Sequence, residues 1–245
     1  MTGPSSRDEP PRSKGARAAR EGLALWAAAF GAIALARAIP PLAGYAKAVA
    51  AVAFLYLPGL VVWRRDEDYR DYGATLAGWP RGVALGLATS LVVLPLFTLG
   101  FFGFIELLRH LPSALSGILS PYPIGAAFTL RLPPRFLEHV LDQLLVVALP
   151  EEFFYRGYLQ ARLRDAWPDG RTFLGVRWGR AFWLTQVLFA LGHLAEPHPY
   201  RLGVFFPSLL FGWLKERSRT IVPSTLFHAL SNLCVMVLEA SFFGH

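Results

Sequence analysis

The sequence has little cysteine and little charge, and each shortage excludes a class of protein. Among its 245 residues there is one cysteine, which excludes an intrachain disulfide framework and a cysteine-cluster metal site. Charged residues make up only 17% of the chain, whereas hydrophobic residues make up 54% and the mean hydropathy is +0.39. Such values are unusual for a soluble domain and indicate a membrane protein.

The basic residues do not form the continuous face or arm that nucleic-acid binding requires. The net charge is +7, but arginines and lysines lie between apolar runs. We therefore interpret them as signals of membrane topology and expect no nucleic-acid partner. The lone Cys234 falls in an apolar helix, where a buried, inert thiol is the expected role.

Apolar runs along the chain predict an all-α, polytopic membrane bundle of about seven transmembrane helices. The runs cover residues 22–39, 45–63, 83–105, 136–152, 181–195, 202–214 and 221–243. The first 21 residues are polar and predict a disordered cytoplasmic tail. Residues 22–135 hold the N-terminal helices and a proline-rich interfacial or re-entrant loop, and residues 136–245 form a separate helical core.

The distribution of Lys and Arg predicts the orientation of these spans. Three quarters of the 24 basic residues fall in the tail and in the loops 64–81, 156–180 and 215–219. With seven crossings, all four segments lie on the same side of the membrane. Because basic loops stay in the cytoplasm, we expect a cytoplasmic amino terminus.

Two adjacent carboxylates, Glu151 and Glu152, follow an apolar run over residues 140–149. Ionised carboxylates in such surroundings cost several kcal/mol unless they are paired or hydrogen-bonded. On a helix, Glu152 shares a face with Arg156, four residues later, whereas Glu151 points about 100° away. The spacing predicts that Glu152 is structural and that Glu151 is free to act. The competing interpretation is a pair of helix-end charges at the membrane interface.

Histidines occupy two later apolar runs. Phe189 and His193 are four residues apart, and so are His228 and Asn232, so each pair shares a helix face. Either histidine alone would be read as a packing residue. Because lipid cannot solvate polar side chains, three membrane segments that carry them are expected to face one common cavity.

Such a cavity has the groups that amide hydrolysis needs. A carboxylate with a histidine can deprotonate water, and a second histidine with an amide can donate hydrogen bonds to an oxyanion. No Ser or Cys has the context of an activated nucleophile; Ser231 and Cys234 only lie near His228. Zinc ligation by the Glu and His residues stays open, although the sequence contains no His-Glu-x-x-His motif.

The three motifs together resemble those of the CPBP family of intramembrane proteases, which includes type II CAAX prenyl endopeptidases and bacteriocin-processing proteins. They are Glu151-Glu152-x-x-x-Arg156, Phe189-x-x-x-His193 and His228-x-x-x-Asn232. The resemblance covers about residues 140–238, and the order and residue types of all three motifs agree.

The resemblance implies a role for each motif residue. Glu151 and His193 are expected to activate water, and His228 and Asn232 to stabilise the oxyanion. Glu152 with Arg156 is expected to hold the helix, and Phe189 to support the site. Family names call these enzymes metalloproteases, while the Glu/His arrangement also permits a metal-free mechanism. A metal, if one is present, would use Glu151, His193 and His228 as ligands, and zinc is a candidate.

The expected substrate is a membrane-anchored protein or one with a C-terminal helix, cleaved near its C-terminal region within a lipid bilayer. The composition resembles that of bacterial chains, which predicts the bacterial cell membrane, and the myxosortases of this family are similar to the chain in size. A rival hypothesis is a non-catalytic membrane protein, either a proton-coupled transporter or an immunity-type scaffold. The sequence contains no internal repeat of the kind that transporters have.

Overall fold

The computed structural model describes residues 11–119 and 127–244. These residues form a bundle of helices with one small hairpin, and the predicted all-α helical membrane bundle is confirmed. The α-helices are α1 (Pro11–Ala38), α2 (Pro40–Ala43), α3 (Ala46–Arg64), α4 (Trp79–His110), α5 (Ser113–Leu119), α6 (Phe136–Leu141), α7 (Leu149–Glu152), α8 (Gln160–Ala166), α9 (Arg180–Gly192), α10 (Phe205–Ser218) and α11 (Val222–Phe243).

Between residues 136 and 166 the chain is helical without a break, and we call this segment the motif helix. It contains α6, α7 and α8, joined by two π-helical stretches, Asp142–Ala148 and Phe153–Leu159. Short 3₁₀ helices occur at Tyr69–Tyr72, His193–Ala195 and Pro199–Val204.

Four helices are long and apolar enough to cross a membrane: Ser13–Ala38, Ala46–Arg64, Trp79–His110 and Val222–Phe243. They correspond to the first, second, third and seventh predicted spans. On α4, large apolar side chains such as Leu91 (78% exposed) face outward. Because that surface suits lipid and not water, the chain is an integral membrane protein.

The other three predicted spans are helical but are short or interrupted. The fourth is the motif helix with its π-helical stretches, and the fifth and sixth correspond to α9 and α10, of 13 and 14 residues. About 20 residues are needed for a straight crossing. A full crossing by these three segments therefore stays a prediction.

Disorder was expected for residues 1–21, and this prediction is wrong from Pro11 onward, where α1 begins. The amino-terminal turns of α1 pack against α8, and Ala18 and Ala19 are 7% and 5% exposed. The close approach to α8 requires a glycine at position 15, since a Cβ there would lie 2.5 Å from the Asp165 carbonyl oxygen. This contact between distant parts of the chain is what orders the basic segment. Residues 1–10 lie outside the described residues.

The proline-rich loop contains no long helix in its described part. It holds the short α5 and then a non-helical segment tied to the end of α11, where Thr129 N–H donates to the Ser241 carbonyl (2.9 Å). The Arg131 N–H also donates to the Ser241 hydroxyl (2.9 Å). Residues 120–126 lie outside the described residues, so the re-entrant or interfacial path stays a prediction.

A two-stranded antiparallel hairpin, which was not predicted from the sequence, follows the motif helix. Strands β1 (Arg171–Phe173) and β2 (Val176–Trp178) are joined by Leu174 and Gly175, both with positive φ, as two-residue hairpin turns require. A cavity beside the hairpin is lined by Trp167, Trp178 and Trp183. Tryptophans among arginines are typical of a membrane interface.

The centre of the bundle is an aromatic core. Phe54 comes from α3, Phe154 from the motif helix, Phe189 from α9, Phe211 from α10 and Phe227 from α11. All five are at most 6% exposed. The core therefore joins the N-terminal helices to the segments that carry the motifs.

A buried polar cluster fastens α1 to α8. The Arg162 guanidinium contacts Glu21 (Nε to Oε1, 3.2 Å) and Glu67 (Nη2 to Oε2, 2.6 Å), and the Tyr158 hydroxyl donates to Glu21 (2.6 Å). Burial and a hydrogen bond to Glu67 raise the pKa of Tyr72, so that its hydroxyl stays protonated and continues to donate. Arg65 also contacts both carboxylates, so two arginines together neutralise two glutamates from separate segments.

We predict that Arg162→Met lowers the stability of the fold by about 1–3 kcal/mol, because Glu21 and Glu67 lose the more buried of their two cations and keep only Arg65. The matched control is Arg135→Gln, which breaks a pair with Glu138 whose side chains are 76% and 61% exposed. That change should cost less than about 1 kcal/mol. Thermal unfolding in detergent measures both, and equal effects of the two substitutions would contradict this account of the cluster.

Candidate active site

The two adjacent glutamates lie in α7, the short α-helical piece between the two π-helical stretches. A π turn inserts an extra residue into a helix and is frequent at functional sites. Proline 150 stands in the first turn of this piece, where the local change of hydrogen-bonding pattern accommodates its missing N–H. The sequence thus produces a local irregularity at the position where the carboxylates face the core.

Glu152 forms the ion pair that the sequence predicted. Arg156 Nη1 lies 2.9 Å from Glu152 Oε1, and both side chains are fully buried. The guanidinium also donates to Gln186 Oε1 (3.2 Å) and to the Ser208 carbonyl (3.3 Å). It lies over the Phe189 ring, 4.1 Å from the ring centre. The pair is therefore held from α9 and α10 as well as from its own helix.

Glu152 has a second contact that the sequence did not indicate, with His228 on α11. His228 Nδ1 lies 3.0 Å from Glu152 Oε1. An ionised carboxylate can only accept, so Nδ1 carries the proton and donates it. Glu152 thereby sets the tautomer of His228 and leaves Nε2 for other chemistry.

Glu151 lies next to that second nitrogen. Its Oε2 is 3.8 Å from His228 Nε2, too far for a direct hydrogen bond. Among the described residues this oxygen has no hydrogen-bond partner, although it is buried. A buried oxygen without a partner is uncommon and is suited to hold water or substrate.

His193 ends α9, and its Nδ1 lies 2.9 Å from the Phe189 carbonyl oxygen. Because a carbonyl accepts, Nδ1 donates and Nε2 keeps its lone pair. Glu151 and His228 are both close enough to act on this ring electrostatically. The glutamate and both histidines therefore lie near one another, and that they face a common cavity stays a prediction.

One aromatic residue lies between the polar groups. The ring centre of Phe189 is 4.7 Å from that of His193, 6.0 Å from that of His228 and 5.0 Å from that of Tyr155. Phe211 also stacks on the His228 imidazole, at 4.4 Å with an angle of 15° between the planes. These ring contacts hold both imidazoles in fixed orientations.

Asn232 lies one helical turn after His228 on α11. Its Nδ2 donates to Gln143 Oε1 (2.8 Å), which belongs to the first π-helical stretch of the motif helix. An amide nitrogen has two hydrogens, so this bond orients the group and leaves one donor.

Glu151, His193 and His228 are the side chains that could provide a three-ligand zinc site. Within residues 11–119 and 127–244, no group of three His, Cys, Asp or Glu side chains lies close enough together to hold a metal ion. His228 Nδ1 is already bonded to Glu152, so this nitrogen is not available as a ligand. The arrangement of Glu151, His193 and His228 does not fit a preformed zinc site.

The fold and this site define a polytopic membrane protein with a buried Glu/His centre. In a comparison with protein families, residues 133–234 match the model described as type II CAAX prenyl endopeptidase Rce1-like. The match includes all three motifs, covers about two-fifths of the chain and supports the predicted membership of the CPBP family. It also supports, in general terms, a CAAX-type intramembrane endopeptidase. No curated protein and no solved structure matches the chain.

Several residues around the site were missed by the sequence analysis. Gln143 was overlooked because residues 140–149 were treated as apolar, although Asp142 and Gln143 interrupt the run. A polar amide in such a run was a usable signal. Gln186, an amide in the apolar run 181–195, offered the same signal. Phe211 offered none, because an aromatic residue in an apolar run does not indicate a contact with another helix.

We predict that Arg156→Gln lowers the free energy of unfolding by about 3–5 kcal/mol, because Glu152 is left as a buried charge without a cation. Arg156→Lys is the matched control; it keeps the charge and loses the forked bonds to Gln186 and Ser208, so its loss should be smaller. Thermal unfolding in detergent compares them. An Arg156→Gln protein as stable as the wild type would contradict the buried pair.

Proposed function

We propose that the chain is an intramembrane endopeptidase that hydrolyses a peptide bond near the C-terminal region of a membrane-associated protein. The observation that carries the proposal is the buried, unbonded Glu151 Oε2 beside His228 and within electrostatic reach of His193. A core that served packing alone would not hold these three groups together.

In the proposed reaction, Glu151 and His193 hold and deprotonate the attacking water. His193 supports this role through its tautomer, since Nδ1–H is donated to the Phe189 carbonyl and Nε2 is left as the basic nitrogen. The water oxygen bonds to the peptide carbonyl carbon, and its proton passes to the base. That proton then moves to the leaving amine as the carbon–nitrogen bond breaks.

The oxyanion that forms in this step needs hydrogen-bond donors, and we assign these to Asn232 and His228. Asn232 keeps one N–H after its bond to Gln143. For His228, Nδ1–H is already donated to Glu152, so Nε2 donates only when the ring is an imidazolium.

No step of this mechanism passes through a metal. If zinc were bound, it would supply Lewis-acid polarisation of the carbonyl, with Glu151, His193 and His228 as the residues to test. Because these side chains do not form a preformed site, we predict that activity survives exhaustive chelation. Activity that chelators abolish and stoichiometric zinc restores would contradict the proposal.

The proposed location is a bacterial cell membrane with the amino terminus in the cytoplasm, supported by the charge distribution and by the four apolar helices. The proposed substrate class is a protein held in the bilayer by a C-terminal helix or by a lipid. The substrate's anchor would bring the scissile bond to the depth of the glutamate pair.

We predict that Glu151→Gln abolishes cleavage and leaves the protein folded and inserted. The carboxamide cannot accept the proton of water, although it has nearly the same size. Glu138→Gln is the matched control, since Glu138 lies at the exposed start of the same motif helix. Purified protein in lipid is incubated with single-span reporters whose C-terminal segments are prenylated, acylated or unmodified, and products are identified by mass spectrometry.

Equal cleavage by wild type and Glu151→Gln would contradict the catalytic assignment. If no reporter is cleaved and proteoliposomes instead show Glu151-dependent proton flux, the transporter hypothesis replaces the protease.

We predict that Asn232→Ala reduces kcat by about 10²- to 10³-fold, the usual effect of deleting one oxyanion donor. Gln143→Leu should reduce kcat by a smaller factor, because Asn232 keeps its amide but loses the group that orients it. KM should change little in both variants. A larger loss for Gln143→Leu than for Asn232→Ala would contradict the assigned order of roles.

A further inference from the structure

A polar cavity of about 600 Å³ lies away from the candidate active site and shares none of its residues. Its walls come from four segments: the 3₁₀ helix at Tyr69–Tyr72 with Gly73, the end of α8 at Arg164, the β1–β2 hairpin, and the end of α10 with Arg219. The charge distribution predicts that all four segments lie on the cytoplasmic side. The cavity therefore lies where the chain is predicted to leave the membrane on the cytoplasmic side. It is open to lipid headgroups or to the solution.

Cations exceed anions in the wall of this cavity. The five basic residues are Arg70, Arg164, Arg177, Lys215 and Arg219, and the two acidic residues are Asp71 and Glu216. Converging guanidinium and ammonium groups repel one another, which destabilises an empty site and favours an anion inside it.

The carboxylate of Glu216 already accepts hydrogen bonds from neighbouring side chains. Its Oε1 accepts hydrogen bonds from Gln160 Nε2 (2.6 Å), from Arg164 and from Lys215 Nζ (3.4 Å). It balances only part of the charge of Arg164 and Lys215. Asp71 is the one other carboxylate in the wall, so a net positive charge remains.

Three arginines in the wall have free donors. Across the described part of the chain, Arg70 and Arg219 form no ion pair, and Arg177 donates only to the Pro168 carbonyl (2.8 Å). A guanidinium fork matches the oxygens of a phosphate group.

Lys215 supplies the buried part of the site, since it is only 6% exposed. An ammonium has three donors, and the contact with Glu216 uses one of them at a long distance. Burial of a cation with so little compensation is costly unless an anion approaches it.

The cavity wall is also fixed in shape. Ile221 N–H donates to the Gly73 carbonyl (3.0 Å), and the Thr220 hydroxyl donates to the Thr75 carbonyl (3.0 Å). Between them and α10, Arg219 has a left-handed backbone, with φ of 62°. A non-glycine residue in that conformation costs energy, which the surrounding contacts must offset, and such residues concentrate at functional sites.

We propose that this cavity binds a phosphate-type oxyanion, supplied either by the headgroup of an anionic membrane lipid or by free phosphate. The arginines would hold the oxygens at the mouth, and Lys215 would neutralise charge at the base. Binding at this place would fasten the hairpin to α10 and to the loop before α11.

The proposal is tested by binding, so its outcome does not depend on peptidase activity. Full-length protein in neutral detergent is titrated with inorganic phosphate by calorimetry, and protein in nanodiscs of phosphatidylcholine is compared with protein in nanodiscs that contain phosphatidylglycerol by thermal unfolding. We expect phosphate, phosphatidylglycerol or both to bind and to raise Tm. Response to the lipid alone identifies a headgroup site, and response to phosphate alone identifies a soluble anion.

Single substitutions show whether the anion binds in this cavity or is attracted only by the overall positive charge of the protein. Arg219→Gln and Arg70→Gln should each weaken binding about tenfold, the effect of losing one charge-assisted contact. Two variants are used because the backbone at position 219 is strained. Arg81→Gln is the control, since Arg81 is an exposed cation on the same predicted side but outside the cavity. Absence of any response, or an equal loss in the Arg81→Gln protein, overturns the proposal.

Discussion

The organisation of the candidate site depends on the fully buried ion pair between Glu152 and Arg156. Two charges in an aromatic core are stable only when each has several partners, because the desolvation cost otherwise exceeds their attraction. Arg156 finds them in Gln186 on α9, in the Ser208 carbonyl on α10 and in the face of the Phe189 ring. Glu152 finds a second donor in His228 on α11. The contacts that stabilise this one ion pair therefore fix the positions of α9, α10 and α11 relative to the motif helix.

The rest of the proposed chemistry follows from that constraint. Since Glu152 accepts from His228 Nδ1, the other ring nitrogen faces Glu151, whose own oxygen has no partner among the described residues. The two adjacent glutamates thus have different environments: Glu152 Oε1 accepts from both Arg156 and His228, whereas Glu151 Oε2 faces His228 Nε2 at 3.8 Å without a direct bond. The buried polar chain continues through Gln186 and Gln160 to Glu216. It reaches the basic cavity at Glu216, which lies in the wall of that cavity, although none of the proposed catalytic residues does.

Much of this could be predicted from the sequence, and the limits have physical reasons. The Glu152–Arg156 pair and the face shared by Phe189 and His193 depend on local helical spacing, which the sequence contains. The bond from Glu152 to His228 joins residues 76 positions apart, and periodicity carries no information about such a contact. The early start of α1 was missed because packing on α8, and not local hydrophobicity, orders those turns. The short α9 and α10 are apolar, but their length alone does not predict a full crossing.

The central claim, that Glu152 fixes the tautomer of His228 and so prepares its second nitrogen, is tested most directly by nuclear magnetic resonance of protein labelled with ¹⁵N in its histidine rings. A His228→Gln sample assigns the signals. The account predicts that Nδ1 of His228 is protonated throughout the pH range in which the protein is folded, and that Glu152→Gln changes this state. A His228 ring with a bare Nδ1 and a protonated Nε2 in the wild-type protein would contradict it.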